Sequence, residues 1–558
     1  MMLPQGNAII ILNPGAQRES GRKAQLANIR ASKAIADIVR STLGPKSMMK
    51  MLLDPMGGIV LTNDGNAILR EVDVTHPAAK SLIEISRAQD EEVGDGTKSV
   101  VILAGEILSV SEPFMEKEIH PIIIVNAFMK GLDLAIKALE DISKPIDINN
   151  NADIMKILKS CIGTKFVHQW GDLICNLALT AVQKVARKEE GGKLDIDIKR
   201  YAKIEKMPGG SLEESCVLDG VVINKDITHT DMRRKVINPR IILLDATLEY
   251  KKGESMTNME LTKEEDFKKA LMMEEEEVKR TCEFILKLKP DVVLTEKGIS
   301  DLAQHYLLKG NVSAIRRIRK TDNNRIARVS GATIVNRPEE LTEEDVGKNC
   351  KLFEIKKIGD EYFSYFIKSE NANACSIILR GGSKDTLNEI ERNLQDAMCV
   401  ARNVMLNPKL VPGGGAAEMH ISNILLEESK KVQGVQQWPL QALSTAFEVI
   451  PRTIAQNSGT SVVKAITELR ALQIKEKEGP YYGIDGNTGK IERMDLANIW
   501  DCLSVKLQTI KSSIEVSAMI LRIDDIVSGI SKKKETSKKP KVEEQPAENE
   551  TFGDARDG

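Results

Sequence analysis

The sequence predicts a multidomain α/β protein, and three observations support that prediction. The chain has 558 residues, too many for one compact core, so several domains are expected. Both ends show mainly helical patterns, whereas the stretch from Val217 to about Glu370 alternates short β-type runs with helical segments. The last segment, Ser531–Gly558, is polar and poor in apolar residues, which predicts a disordered tail.

Composition narrows the class of protein. Hydrophobic residues make up 42% of the chain and charged residues 29%, as in ordinary soluble globular proteins. The formal net charge of -2 and the aromatic content of 4% argue against nucleic-acid binding, which favours a basic excess and stacking side chains. No apolar run reaches the roughly 20 residues that span a bilayer, and the chain start is a poor signal peptide. Eight scattered cysteines without a CxxC pair fit reduced thiols, so we expect a cytoplasmic protein.

Local patterns predict the first elements of the chain. Lys23–Arg40 carries apolar residues at near-helical spacing and is followed by Gly44-Pro45, which predicts a helix and its end. Ile59–Thr62 precedes Asn63-Asp64-Gly65, which predicts a strand that enters a hairpin turn.

The middle region carries three apolar runs that predict strands, Val221–Ile223, Ile241–Leu244 and Val292–Leu294. Within this region, Glu249–Arg280 is too highly charged to bury a core by itself, and we expect it to project from the body. Glycines at Gly381-Gly382 and Gly413–Gly415 follow the region, and we expect them to act as hinges.

The run Gly94–Thr97 (GDGT) stands just before the apolar Val100–Leu103. A helix N-terminus presents unpaired N–H groups and the positive end of a dipole, and glycines let a phosphate approach that backbone. Asp95 would repel the phosphate unless a cation intervened, and Mg²⁺ between the carboxylate and phosphate oxygens resolves the conflict. The alternative is a turn that only caps a buried helix. Lys98 could pair with phosphate or point to solvent, and the chain contains no GxxxxGK[ST] phosphate loop.

Three further stretches each have a plain interpretation when taken alone. Leu43–Lys46 (LGPK) indicates a helix stop, and Thr62–Gly65 (TNDG) indicates a hairpin turn. The predicted helix Thr386–Met405 has an apolar stripe with Asp396 on its flank, where the carboxylate could face a cleft or form an i,i+4 salt bridge with Arg392. Each signal is weak, and their joint occurrence in one chain is what requires an explanation.

Six motifs together make the chain similar to a group II chaperonin: LGPK at 43–46, TNDG at 62–65, GDGT at 94–97, RGG at 380–382, EIERNLQDA at 389–397 and PGGGAAE at 412–418. The resemblance extends in order from about Gly15 to Gly529 and so covers nearly the whole chain. Longer stretches such as LKPDVVLTEKGISDLAQHYL and AIRRIRKTDNNRIARVSGA resemble the eukaryotic cytosolic chaperonin in particular.

The resemblance implies a chaperonin fold with a mainly helical equatorial ATPase domain, a small α/β intermediate domain and an α/β apical domain with a helical protrusion. The equatorial domain would combine residues 1–148 and 405–530, and the intermediate domain residues 149–216 and 371–404. The apical domain would comprise residues 217–370, with a lid protrusion at about 250–272, and residues 531–558 would form the disordered tail.

The same resemblance implies the site residues. Asp64 and Asp396 would be catalytic carboxylates associated with the metal and the attacking water, and Asp95 would bind Mg²⁺. The residues implied to bind ATP or ADP are Gly44, Pro45, Gly96, Thr97, Lys98, Ser99, Thr164, Lys165, Gly414, Gly486, Asn487, Asp501 and Lys506. The chain departs from the family pattern at Lys98, where Thr is usual, and at Asn487, where an acid is usual. We expect the first to alter phosphate affinity or hydrolysis rate and the second to loosen nucleotide contact, with hydrolysis retained.

The implied function is ATP-driven protein folding. The subunit would join paralogous subunits in a hetero-oligomeric double ring, with no nucleic-acid or membrane partner. ATP hydrolysis would close lids over non-native clients such as actin and tubulin, with co-chaperones such as prefoldin. An alternative is a ring subunit that binds nucleotide, hydrolyses it poorly and acts mainly structurally. The helix around Leu271–Leu288 could contact clients or pack on the apical core, and surface charge explains the basic cluster Arg316–Lys320 better than nucleic-acid binding does.

Overall fold

The computed structural model describes residues 17–53, 57–148, 150–188, 191, 194–250, 264–368, 373–476 and 478–528. Residues 251–263 of the predicted projection and the whole predicted tail, residues 531–558, lie outside the described residues. Among the described helices, none is long and apolar enough to cross a membrane.

The first stretch of the chain is mainly helical, as its pattern predicts. Its elements are β1 (Gln17–Ser20), α1 (Arg22–Arg40), β2 (Lys50–Leu53), β3 (Ile59–Thr62), α2 (Gly65–Glu71), α3 (Pro77–Glu92), α4 (Thr97–Glu116), α5 (Pro121–Ile142) and β4 (Lys144–Pro145). The predicted first helix is confirmed by α1, which buries Ile29, Ile35 and Val39. The helix α4 begins at the last residue of the GDGT motif, and its apolar run Val100–Leu103 is buried on all sides.

The TNDG motif is not a hairpin turn, so that prediction is wrong. The strand β3 ends at Thr62 as predicted and pairs antiparallel with β2, which precedes it. Asp64 then caps α2, because its carboxylate accepts a hydrogen bond from the N–H of Ala67 at 3.0 Å. An aspartate suits both a tight turn and a helix N-cap, so the local signal does not separate the two structures.

The second stretch combines helices with short strands. Its elements are α6 (Asn151–Ile162), a 3₁₀ helix (Phe166–Trp170), α7 (Gly171–Val185), β5 (Arg187–Lys188), β6 (Leu194–Asp195), α8 (Ile198–Tyr201), β7 (Ala202–Pro208), a 3₁₀ helix (Leu212–Glu214) and β8 (Cys216–Leu218). The connection from α6 to the first 3₁₀ helix carries Thr164 and Lys165, two of the predicted site residues.

The third stretch is the predicted α/β region. Its elements are β9 (Gly220–Ile223), β10 (Lys235–Ile237), β11 (Ile241–Leu244), α9 (Glu264–Lys287), β12 (Val292–Thr295), α10 (Asp301–Lys309), β13 (Ser313–Ile315), α11 (Lys320–Ser330), β14 (Ile334–Val335), β15 (Leu352–Ile358) and β16 (Glu361–Ile367), with two 3₁₀ turns at Pro338–Glu340 and Glu343–Asp345. The three predicted strands are confirmed by β9, β11 and β12. A parallel sheet has the order β13-β12-β11-β14, and an antiparallel sheet has the order β10-β15-β16-β9.

The helix α9 has two different surroundings along its length. Its second half packs on the core of the α/β region, since Val278, Cys282 and Ile285 are buried. Towards its start, Met272 and Met273 are 61% and 69% exposed. Of the two alternatives for Leu271–Leu288, packing on a domain core therefore holds for the second half of this helix.

The chain then returns through one strand and one long helix. They are β17 (Cys375–Gly381) and α12 (Lys384–Leu406). The strand β17 pairs in parallel with β7, Cys375 opposite Ala202. The apolar stripe predicted on this helix is confirmed, with Leu387, Ile390 and Leu394 among its buried members.

The last stretch is again mainly helical. Its elements are β18 (Lys409–Pro412), α13 (Ala416–Ser429), α14 (Gln437–Phe447), α15 (Val449–Ser458), α16 (Val462–Lys475), a 3₁₀ turn (Gly479–Tyr481), β19 (Tyr482–Ile484), β20 (Ile491–Arg493), β21 (Trp500–Cys502), α17 (Leu503–Leu521) and β22 (Asp525–Ser528). The strand β22 pairs with β1, so the two ends of the described chain meet.

Three large apolar cores organise the fold. The first joins α1 and α3–α5 with α13–α17, and so combines both ends of the chain. The second lies under the two four-stranded sheets of the α/β region. The third is built from α6, α7 and α12. The helix α17 takes part in two of these cores, because Ile510 and Ile514 belong to the first and Val505 to the third.

Candidate functional site

A cavity of about 630 Å³ lies where the first and third cores meet. Its walls come from the start of α4, the end of α6, the turn between β19 and β20, and the start of α17. The predicted site residues that line it are Gly44, Pro45, Asp95, Gly96, Lys98, Ser99, Thr164, Lys165, Gly414, Gly486, Asn487, Asp501 and Lys506. Predicted residues from six separate stretches of the chain are thus brought to one cavity.

Three predicted residues do not line this cavity. Thr97 is buried, and its hydroxyl lies on the side of Gly65, where an added Cβ would come within 2.9 Å of it. Asp64 caps α2 beside the cavity and is 8% exposed. Asp396 lines a neighbouring cavity, and its carboxylate accepts a hydrogen bond at 2.5 Å from the ammonium of Lys165, which does line this one.

Gly96 provides the left-handed backbone conformation from which α4 begins. This residue has a left-handed backbone with φ of 77°, and a Cβ there would lie 2.9 Å from the hydroxyl of Thr509, so a glycine is required. The amide of Gln89 donates to the Asp95 carbonyl at 3.0 Å and to the Thr509 hydroxyl at 3.0 Å. The loop before α4 is thereby fixed to α17, and the free amides of the helix start face the cavity.

Asp95 places a carboxylate at this helix start. One oxygen accepts a hydrogen bond from the N–H of Gly96 at 2.7 Å, and the other accepts only a weak one from the Cys161 thiol at 3.9 Å. A carboxylate oxygen that faces a cavity and has only a weak partner is a suitable ligand for Mg²⁺, which prefers oxygen. The residues present therefore fit the metal predicted at this position.

Of the two alternatives for Lys98, the structure excludes exposure to solvent. Its side chain is buried, and its ammonium donates a hydrogen bond to the carbonyl of Thr42 at 2.9 Å while lining the cavity. Burial, together with the nearby charge of Lys165, lowers the pKa of Lys98 to about 8. The group does not point to solvent, and it is placed within the cavity where phosphate is predicted.

Lys165 and Asp396 form a buried ion pair across the third core. The ammonium nitrogen and a carboxylate oxygen are 2.5 Å apart, and the two side chains are 5% and 11% exposed. Burial raises the pKa of Asp396 to about 8; Lys165 limits this rise, and Asp64 and Asp95 add to it. The local alternative for Asp396 is wrong, because Arg392 pairs with Glu389 at 3.1 Å instead.

The opposite wall depends on close packing of glycines. Gly414 has φ of 62°, and a Cβ there would lie 2.5 Å from the sulfur of Met494. A Cβ on Gly486 would lie 2.4 Å from Pro45, so the LGPK motif packs directly on the turn between β19 and β20. Asn487 lies in that turn, where its N–H donates to the Asp485 carboxylate at 3.0 Å.

Comparison with known proteins decides what kind of protein carries this site. A family model described as the TCP-1/cpn60 chaperonin family matches residues 35–531. The chain belongs to this chaperonin family.

The sequences of several relatives align with nearly the whole of this chaperonin. A T-complex protein 1 subunit gamma from Oxytricha granulifera is 66% identical over 555 residues, covering 99% of each chain. One from Tetrahymena pyriformis is 61% identical, covering 99% of each chain, and one from Bos taurus is 59% identical, covering 94% of this chain and 96% of the relative. The chaperonin fold and the function of a chaperonin subunit in protein folding are therefore confirmed, and use of ATP is general in this family.

Several residues of this chaperonin's site lie outside the predicted set. Glu418 accepts a hydrogen bond from Lys506 at 2.5 Å, and Asp501 lies 3.0 Å from the same ammonium. Against the effect of burial, Asp501 and Glu418 raise the pKa of Lys506 far above its ordinary value. Glu418 is the last residue of the PGGGAAE motif, so the motif itself could have indicated it as a site residue. Nothing in the local sequence indicates Gln89.

Proposed function

We propose that this chain is an ATP-hydrolysing subunit of a hetero-oligomeric double-ring chaperonin in the cytoplasm. The observation that carries the proposal is the convergence of Asp95, Lys98 and Lys165 on one cavity at the start of α4, with Asp396 directly behind Lys165. This arrangement combines a metal ligand, two cations and a buried carboxylate, as phosphoryl transfer to water requires.

Nucleotide would lie across the cavity. The phosphates would bind the free amides at the start of α4 and the ammonium groups of Lys98 and Lys165. The adenosine half would contact Gly414, Gly486 and Asp501 on the opposite wall. Mg²⁺ bound by Asp95 would neutralise phosphate charge during the reaction.

Asp396 is proposed as the general base. A water oxygen attacks the terminal phosphorus of ATP, its proton passes to the Asp396 carboxylate, and the bond from that phosphorus to the bridging oxygen breaks. The products are ADP and inorganic phosphate. The raised pKa of Asp396, about 8, makes its ionised form a stronger base than an exposed aspartate. Asp64, whose negative charge contributes to the raised pKa of Asp396, would help to position the metal and the attacking water.

The position of Asp396 also supports coupling to movement. It lies on α12 of the third core, whereas Asp95 lies just before α4, whose apolar residues from Val100 onwards belong to the first core. A rotation between these cores, absorbed near Gly381-Gly382 and Gly413–Gly415, would bring the carboxylate to the nucleotide or withdraw it. The three cores support the proposed equatorial, apical and intermediate domains, with the segment after Tyr250 as the lid.

The wider role follows from the relatives' name, a subunit of a T-complex. We propose paralogous ring neighbours, enclosed non-native polypeptides such as actin and tubulin, and delivery by co-chaperones such as prefoldin. The rival role is a subunit that binds nucleotide and hydrolyses it poorly. The retained carboxylates Asp64, Asp95 and Asp396 favour hydrolysis over that role.

ATP turnover tests the proposal. The assembly is purified from cells whose sole copy of this subunit carries Asp396→Asn, and native mass spectrometry verifies that it is complete. Steady-state ATP hydrolysis should fall by this subunit's share, while ATP still binds. An unchanged rate in a complete assembly would support the silent subunit, and recovery of the tagged chain as a monomer would contradict the ring itself.

A further inference from the structure

A second cavity, of about 460 Å³, lies directly behind the nucleotide site. Buried or half-buried residues form its inner end, namely Asp90, Gly94, Asp396 and Cys399. Exposed basic residues, Lys199 and Arg319, line it towards solvent. The cavity therefore extends from the carboxyl group of Asp396 to the surface, and its lining is partly polar and partly apolar.

The wall between the two cavities is thin at two places. Asp396 lines the second cavity and Lys165 lines the first, and their charged groups are 2.5 Å apart. Gly94 lines the second cavity and its chain neighbour Asp95 lines the first. A Cβ on Gly94 would come within 2.4 Å of the Cys399 Cβ, so any side chain at that position would thicken the wall. Separation of the Lys165–Asp396 pair is the smallest change that would connect the two spaces.

The charges along the second cavity are not all compensated. Asp322 pairs with Lys203 at 3.1 Å and with Arg325 at 2.8 Å, which neutralises that part of the lining. Lys199 and Arg319 have no ion pair with any residue that the structure describes. Glu391, which also lines the cavity, is neutralised by Lys206 at 2.7 Å, and the ammonium of Lys199 donates a hydrogen bond to the Glu91 carbonyl at 3.5 Å. Two cations without an ionic partner on the outer part of the cavity attract an anion that arrives from the inner end.

We infer that the second cavity is the exit route for the inorganic phosphate produced by hydrolysis, an inference that rests on the proposed ATPase function. Phosphate forms at the inner end of the first cavity, next to Lys165, with ADP between it and the nucleotide entrance. The route through the second cavity lets phosphate leave before ADP. It needs the Lys165–Asp396 pair to open, and Lys199 and Arg319 to draw the anion outwards.

Burial supports passage of an anion between the two carboxyl groups at the inner end. Burial, with repulsion from Asp64, raises the pKa of Asp90, and burial likewise raises that of Asp396. After hydrolysis Asp396 holds the proton taken from water, so it carries no charge when phosphate must pass. Repulsion between the Asp396 carboxyl group and the departing phosphate is thus lowest directly after the chemical step.

The experiment separates the chemical step from phosphate release in the purified assembly. Two variants of this subunit are made: Lys199→Ala with Arg319→Ala, which removes the cations, and Gln395→Trp, which places an indole at an exposed position of the lining. The matched control is Lys309→Ala with Arg316→Ala, two exposed basic residues outside the cavity. Single-turnover acid quench measures hydrolysis, and a fluorescent phosphate-binding reporter protein measures release.

In the acid-quench assay, this subunit's share of hydrolysis is the part of the burst amplitude that is lost in the Asp396→Asn variant. For that share, the rate of phosphate release should fall several-fold in both cavity variants, whereas the rate of hydrolysis measured by acid quench should stay the same. Both rates of the control variant should match those of the wild type. Unchanged release in both cavity variants, with the share present, would overturn the exit route and leave the ATPase proposal standing. If Asp396→Asn removes no amplitude, the ATPase proposal fails and the exit route falls with it.

Discussion

Lys165 and Asp396 lie 231 residues apart in sequence, and their charged groups are 2.5 Å apart in a site that leaves both side chains nearly inaccessible to water. The pair joins a residue that lines the first cavity, Lys165, to the carboxylate proposed to activate water. A buried pair of this kind is costly to break from one side, because the remaining charge has no partner.

Lys165→Met should therefore destabilise the chain by about 3–5 kcal/mol, whereas Lys165→Met combined with Asp396→Leu should recover most of that loss. Urea unfolding of the purified chain measures both. The matched control is Lys431→Met, which breaks an exposed pair with Glu428 at 2.6 Å and should change the free energy of unfolding far less, because solvent screens exposed charges. If breaking the buried pair and breaking the exposed pair lowered the free energy of unfolding equally, burial would not be what makes the Lys165–Asp396 pair costly to break.

ATP affinity should fall as the pH rises through 8. The pKa of Lys98 is lowered to about 8, so its ammonium is charged below that pH and neutral above it. Loss of a charge-assisted phosphate contact should weaken binding roughly tenfold between pH 7 and pH 9. Lys98→Met should bind more weakly at pH 7 and lose most of this dependence. The same pH profile in Lys98→Met would show that Lys98 does not contact the phosphates.

Asp64 has a structural role that can be separated from its proposed chemical one. Its carboxylate caps α2 at 3.0 Å from the N–H of Ala67, and loss of such a cap costs about 1 kcal/mol. Asp64→Ala should therefore lower both stability and ATP turnover, whereas Asp64→Asn, which can still cap, should lower turnover alone. Thermal unfolding and ATP hydrolysis by the assembly distinguish these outcomes. Full turnover in Asp64→Asn would leave the residue as a cap only.

Gly414→Ala should be clearly more destabilising than Gly434→Ala. Both glycines have a positive φ, 62° and 87°, but an added Cβ meets the Met494 sulfur at 2.5 Å in the first and nothing within 4 Å in the second. The exposed position should cost about 1 kcal/mol for backbone strain, and the crowded one about 1–3 kcal/mol more. Urea unfolding of the two variants measures the difference, and equal costs would show that Met494 moves aside freely.

Local periodicity was sufficient to predict much of the fold. The apolar spacing in α1 and α12, and the β-type runs of β9, β11 and β12, depend on which face is buried, and that pattern is written in the sequence itself. The start of α4 was also predictable, because glycines before a fully apolar run leave few other structures. These elements required no knowledge of distant contacts.

The contacts that were missed depend on residues far away in the chain. Within its own helix, Arg392 is the partner that the sequence suggests for a salt bridge with Asp396. Nothing in the neighbouring sequence indicates that Lys165 forms the ion pair instead. For Lys98 the sequence allows contact with phosphate or exposure to solvent, because it does not show that the Thr42 carbonyl accepts a hydrogen bond from the ammonium. Asn63-Asp64-Gly65 was assigned to a turn because Asp favours turns and N-caps alike. Tertiary packing decided each case.

The most direct test of the central claim is a structure of the assembly trapped with Mg²⁺, ADP and aluminium fluoride, determined by electron cryomicroscopy. The fluoride mimic of the transferring phosphate should lie at the amides that begin α4, with the metal on Asp95. In the closed ring, the Asp396 carboxylate should face the mimic at hydrogen-bond distance or through one water. An empty cavity in this subunit, or Asp396 turned away from the mimic in the closed ring, would contradict the account.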